Sequence, residues 1–255
     1  MPTLRLLTCL LPLLLCCSAV AEPRTIQLFM PDAPPLALQR EDGHGITGDA
    51  AIMALQRAGY RVALQNMPWP RAQRRTQELH DALIVPLSRT TEREALYTWV
   101  VNIQPLYRAF FTLDDPVASL EEARQRYHLV AVGLGSAQEE ILRRAGFTPD
   151  QLYALKLGDR PIQLVRRGRV DAWFTTDLEG RHQWDDGPAL AMSALLAPQD
   201  MFIACSLLRP APGSTRPRRP RRYARRRQPA AHYRTLRAQP LRATAKNLLI
   251  VIHGR

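Results

Sequence analysis

The stretch GDAAIMALQRAGYRVALQ, residues 48–65, changes its period partway along. Gly48 to Ala58 spaces its apolar side chains as an amphipathic helix does, with Asp49 near the N-cap and Gly59 as the stop. Tyr60 to Gln65 then alternates as a strand. The rhythm continues on both sides. Thr25 to Met30 (TIQLFM) reads as a strand, Arg71 to Leu79 as a second helix, and Ala82 to Pro86 (ALIVP) as a buried strand. Strand, helix, strand, helix, strand predicts a mostly parallel sheet with helices on its faces.

A second unit repeats the pattern. Ser119-Leu-Glu-Glu122 is a capping box opening a helix to Arg126, and His128 to Val132 is a strand. Gly133-Leu-Gly-Ser136 is a turn leading into a helix that Gly146 closes. Tyr153 to Lys156, a helix near Pro161 to Arg167 and the strand Asp171 to Phe174 complete the unit. Leu106 to Leu113 (LYRAFFTL) is an extended connector between the two, and Met201 to Ala204 (MFIA) is a candidate returning strand. Two α/β lobes joined by two crossings place a cleft between them. The expected division is 22–112 for the first lobe, 113–194 for the second and 195–206 for the return.

Charge divides the chain differently. From Leu207 to Arg255 there are thirteen Arg, one Lys and no Asp or Glu, a charge of +14 within a chain of net +12. The first 206 residues therefore sum to −2, and the high pI belongs to the C-terminal segment. Six Pro and no acid in residues 207–255 oppose a packed core, so this segment is expected to be disordered. An extension binding nucleic acid or anionic membrane is one account of it. The preferred account is translation out of frame, since Arg, Pro and Ala are what GC-rich codons yield when shifted, and the chain holds two Lys against thirty-three Arg. Such a segment would replace native C-terminal helices and lower stability.

At the other end, a short basic start, an apolar run from Leu6 to Cys17 and Ser18-Ala19-Val20-Ala21 form a secretory leader with cleavage expected after Ala21. A spanning helix needs about 20 apolar residues, and this run is shorter and contains Pro12. A lipoprotein leader is disfavoured because Leu15 precedes Cys16. Cleavage leaves Cys205 as the one cysteine, which excludes an internal disulfide and a thiolate metal site. The six histidines show no metal-ligand spacing, and no cofactor is expected.

Several short motifs recur in order: Pro34-Pro35-Leu36, Gly45-Ile-Thr-Gly48, Pro68-Trp69-Pro70-Arg71-Ala-Gln73 and Asp81-Ala82. Ser88-Arg-Thr-Thr-Glu-Arg93, Gly135-Ser136-Ala-Gln138-Glu139 and Gly168-Arg169-Val-Asp171-Ala172 follow. In this order and spacing, the run from Pro34 to about Ser206 resembles the family 3 extracellular solute-binding proteins, periplasmic receptors for polar amino acids and related small solutes. The resemblance implies a periplasmic, monomeric binder of a small solute with a carboxylate. Its partner would be an inner-membrane ABC permease or a sensor, not nucleic acid.

The resemblance also implies roles for individual residues. Arg93 matches the family's carboxylate-binding arginine, whose planar guanidinium offers two parallel charge-assisted hydrogen bonds. Ser88 matches a nearby polar contact, and Ser136 with the backbone N–H groups of its turn would reach the carboxylate from the second lobe. Thr176 stands where the family places an Asp for the ligand ammonium, with Asp177 one residue later. Leu36 stands where an aromatic side chain usually meets the ligand, and Trp69 is a candidate for that role.

The scaffold also hosts dehydratases, and fold does not dictate function. An enzyme would need a carboxylate in the cleft as general acid or base. Glu139 and Glu140 after the Ser136 turn are the candidates, although a helix face accommodates acids equally well. The binding reading is preferred.

Overall fold

The computed structural model describes residues 22–40, 42–184 and 190–207. The expected leader and most of the basic segment lie outside the described residues, so the readings made of them are not addressed structurally.

The first unit runs β1 (Thr25–Phe29), α1 (Gly45–Arg57), β2 (Arg61–Gln65), α2 (Trp69–Glu78) and β3 (Ala82–Ser88). A sixteen-residue strand β4 (Tyr97–Thr112) leads to the second unit. There α3 (Leu120–Arg126), β5 (Val130–Gly133), α4 (Ala137–Arg144), β6 (Leu152–Leu155), α5 (Pro161–Arg166), β7 (Ala172–Thr176) and α6 (Asp177–His182) follow. The short β8 (Ala191–Met192) and the long β9 (Leu196–Ser206) close the described chain.

All strands join one sheet in the order β2-β1-β3-β9-β4-β7-β5-β6, with β8 against β4. The predicted parallel pairing holds inside each half: β1 with β2 and β3, β5 with β6 and β7. The centre differs, because β9 runs antiparallel to both β3 and β4, and β4 runs antiparallel to β7. Tyr97–Asn102 pairs with the end of β9 beside the first half, whereas Arg108–Thr112 pairs with β7 in the second. Thus β4 and β9 are the two crossings between the halves.

Consecutive apolar residues in these strands point to opposite faces, and helices cover both faces. Leu28 packs under α1 with Leu55 and Val85, and its neighbour Phe29 packs under α2 with Trp69 and Ile84. In the second half Phe110 and Phe174 pack under α3 and α4 with Leu142, while Phe111 and Trp173 pack under α5 with Ile162 and Val165. This two-sided burial explains why ALIVP and LYRAFFTL are apolar without alternation. Each buried side chain of this size contributes about 1.5–3 kcal/mol.

Several boundaries depart from the sequence expectation. Helix α1 begins at Gly45, one turn before Gly48, and Asp49 is not its N-cap; its carboxylate accepts the His44 N–H at 3.0 Å from inside the helix. The early start follows from the segment before it. The Ile46 and Thr47 N–H groups donate to the Pro35 and Leu36 carbonyls, and the Thr47 hydroxyl donates to Leu36 O at 2.7 Å. Gly45, at φ 78°, fits because a Cβ there would lie 2.8 Å from both carbonyl oxygens. Helix α6 and strand β8 were not anticipated, and the crossing strands extend well beyond the apolar runs that announced them.

Candidate functional site

A cleft of about 450 Å³ opens at the C-terminal ends of the parallel strands, where the two halves face each other. A second cleft adjoins it and shares Ala33, Gln138, Leu157 and Glu179. Of the residues anticipated from sequence, Trp69, Ser88, Arg93, Ser136 and Thr176 line the first cleft, together with Leu36. Asp177 is absent from that lining.

Arg93 sits in the turn after β3 and is 3% exposed. Its Nε donates to Glu140 Oε1 at 2.8 Å, and its Nη2 lies 2.6 Å from the same oxygen and donates to Gly135 O at 3.0 Å. Both partners belong to the second half. Thr90 donates to the other Glu140 oxygen at 2.8 Å, Gln73 of α2 donates to Gly135 O at 2.9 Å, and Arg144 pairs with Glu92. These contacts tie the turn and α2 of the first half to α4 of the second.

Two backbone donors of the turn opening α4 are satisfied locally. Gly135 N–H donates to Glu139 Oε2 at 2.7 Å, Ser136 N–H to Gly133 O at 3.1 Å, and the Ser136 hydroxyl accepts the Glu139 N–H as N-cap. Gly135, at φ 68°, brings this turn against α2: a Cβ there would lie 2.9 Å from Pro70 Cγ. Neither Glu139 nor Glu140 is free to act as a general acid or base. Glu139 is held by Gly135 N–H and Arg143, and Glu140 by Arg93 and Thr90.

Two charged residues that the sequence reading did not single out complete the cleft. Arg108 lies on β4 with no exposed surface. Its Nη2 donates to Ser88 Oγ at 2.8 Å and its Nη1 to Ala197 O at 3.1 Å, while its Nε has no partner among the described residues. A register shift between β4 and β9 falls at Leu106/Arg108, and Ala197 opposite has φ 46°, so a bulge turns that carbonyl toward the guanidinium. Burial lowers the Arg108 pKa to about 10, which leaves it charged at neutral pH.

Glu179 is buried on α6, and its Oε2 accepts the hydroxyls of Thr175 and Thr176 at 2.9 and 2.8 Å. The Thr176 hydroxyl in turn accepts the Glu179 N–H, which makes Thr176 the N-cap. Desolvation raises the Glu179 carboxyl above its ordinary range, against the pull of both hydroxyls and of Arg108. Among the described residues neither Arg108 nor Glu179 closes a salt bridge. Asp177 beside it is also buried, which raises its carboxyl. The signals were present: Arg108 interrupts the apolar run LYRAFFTL, and Thr176-Asp-Leu-Glu179 has the spacing of a capping box.

Among the described residues, no group of three or more His, Cys, Asp or Glu side chains is arranged to hold a metal ion.

No family model matches the chain, and no curated protein matches it by sequence. Solved structures do. Holo ArgBP from T. maritima matches with TM-score 0.62 at 17% identity, over 72% of this chain and 83% of that one. A histidine kinase sensor domain with similarity to periplasmic binding proteins gives 0.66 at 19% identity, over 73% and 84%. The ancestral amino acid-binding protein AncCDT-1, a precursor of cyclohexadienyl dehydratase, gives 0.61 at 17% identity, over 72% and 82%. At such identities the likeness concerns architecture: the chain has the two-lobed α/β fold of the periplasmic binding proteins.

Proposed function

We propose that this chain is a solute-binding receptor that captures a small polar solute bearing a carboxylate, an amino acid or a related acid, in the cleft between lobes 22–112 and 113–194, with 195–206 returning to the first. One observation carries this reading: the buried guanidinium of Arg108, which closes no salt bridge among the described residues, faces a cleft whose walls come from both halves and which Arg93 also lines. Buried cations facing a cavity favour an anionic group there, and contacts from both walls to one ligand favour closure. Neighbours of this fold described as amino acid-binding and arginine-binding support the same reading. The receptor would work in the periplasm after removal of its leader, as a monomer serving an ABC permease or a sensor.

A thermal-shift panel of the twenty L-amino acids and short carboxylates tests the proposal. A binder present at a hundred times its Kd stabilises by about 2.7 kcal/mol, which raises Tm by roughly 5–10 °C for a chain of this size. A panel without any shift would sink it.

A second reading, a cleft lyase of the dehydratase type, draws on Glu179, whose raised carboxyl suits a proton donor. Mass spectrometry of the stabilising compound after incubation separates the two. Compound returned unchanged means binder, and conversion means enzyme.

A further inference from the structure

We infer that the solute is taken as a zwitterion, its carboxylate on Arg108 and its cationic nitrogen on Glu179, in place of Arg93 and Thr176. The inference rests on the solute-binding reading and specifies its site.

Several of the donors first expected to meet a carboxylate are engaged inside the protein. Arg93 is bound to Glu140 and to Gly135 O, and the Gly135 and Ser136 N–H groups are bound within their own turn. Thr176 carries no charge, and Asp177 does not line the cleft. Arg108 differs from all of these. It is completely buried, lines the cleft, keeps Nε unpartnered and has only neutral oxygens, Ser88 Oγ and Ala197 O, as acceptors. Glu179 lines the same cleft, also buried, with two hydroxyls and no cation bound to its carboxylate.

Two opposite charges are therefore desolvated around one cavity, attracting each other without closing a salt bridge among the described residues. A buried charge lacking a partner is costly, and a ligand supplying one recovers that cost on binding. An anion alone answers Arg108 and leaves Glu179. A cation alone does the reverse. A molecule with both charges compensates both at once. A charge-assisted hydrogen bond at each end also fixes the direction of the molecule.

The test is calorimetric titration of the mature chain with the twenty L-amino acids, their 2-hydroxy-acid and N-acetyl analogues, and simple alkylamines. The expected result is that at least one amino acid binds and its uncharged-nitrogen analogues bind roughly 30-fold more weakly, the loss of one charge-assisted hydrogen bond. Glu179→Gln, which keeps shape and hydroxyl partners, should weaken the amino acid by a similar factor while changing the 2-hydroxy acid less than about threefold. Arg108→Gln should weaken both. Equal binding of amino and hydroxy acid, with Glu179→Gln neutral, would overturn the inference and leave the solute-binding reading standing. Binding by none of the compounds would overturn that reading and this one with it. The paired comparison on the unmodified chain decides the matter even if a variant fails to fold.

Discussion

Arg93 Nη2 lies 2.6 Å from Glu140 Oε1, with the arginine side chain 4% and the glutamate 25% exposed. The pair joins the turn after β3 to α4, so the guanidinium expected from sequence to meet a ligand is also bonded across the two halves. Thr90 secures the second Glu140 oxygen, and Gly135 O takes bonds from both Arg93 and Gln73. Glu140→Gln should therefore loosen the halves and leave a buried charge without its counter-ion. The expected loss is on the order of 1.5–3 kcal/mol in urea unfolding, with an increased radius of gyration in small-angle scattering. Unchanged values of both would show that the pair fastens nothing.

Gly180 lies where α6 crosses the second half's core. A Cβ at this position would stand 2.0 Å from Phe111 Cε2 and 2.1 Å from Cζ, and Phe111 is fully buried against Trp173 and Trp184. Gly180→Ala should cost about 1–3 kcal/mol by overpacking and should displace α6, and with it Glu179. A circular-dichroism melt showing wild-type stability would contradict this packing.

Burial raises the carboxyl groups of both Glu179 and Asp177 in the folded protein. A carboxyl whose folded pKa exceeds its unfolded value of about 4 binds more protons folded than unfolded between the two values. Its stabilising contribution is complete below the unfolded pKa and is lost as pH rises through the folded one. The ligand-free protein should lose this contribution on going from pH 4 toward neutrality. Glu179→Gln should flatten that part of the profile and be relatively more stable at pH 7. Urea unfolding of both proteins at a series of pH values checks the sign, and parallel profiles would count against a raised Glu179. The surface pairs of Arg89 with Glu94 and Arg124 with Glu121 act oppositely, since they lower their glutamates, but exposed pairs contribute little.

The sequence made the two α/β units legible because each helix and parallel strand carries its own period. The Gly59 and Gly146 stops, both at positive φ, fell where the helical pattern ended. The crossing strands were less legible. β4 begins at Tyr97, well before the apolar run at Leu106, because Asn102 and Gln104 interrupt it and its register with β9 shifts three times. At the cleft, motif matching brought Trp69, Ser88, Arg93, Ser136 and Thr176 to one place. What it could not supply was the state of each group. Arg93 is paired with Glu140, forty-seven positions away, and Arg108 is a cleft residue only because a bulge and a crossing strand put it there. Such information lies in tertiary pairing, which no local pattern encodes.

Asp171 ends the Gly168-Arg169-Val-Asp171 run, and its Oδ2 accepts the N–H groups of His128 and Leu129 at 2.6 and 2.9 Å. Its own N–H donates to Leu129 O, and its carbonyl accepts the Thr112 hydroxyl at 2.8 Å. One carboxylate thus aligns the starts of β5 and β7 and is anchored to the end of β4. Asp171→Ala would leave two backbone donors without an acceptor, though the side chain is 37% exposed and water can replace part of what is lost. The expected cost is about 1–2 kcal/mol, with hydrogen exchange accelerated at Leu129 and Val130 and unchanged in β1 and β3. Affinity for any cleft ligand should change little, because the residues of the cleft lie at the opposite end of these parallel strands. A tenfold fall in affinity without a fall in stability would move Asp171 from a strut to a part of the site.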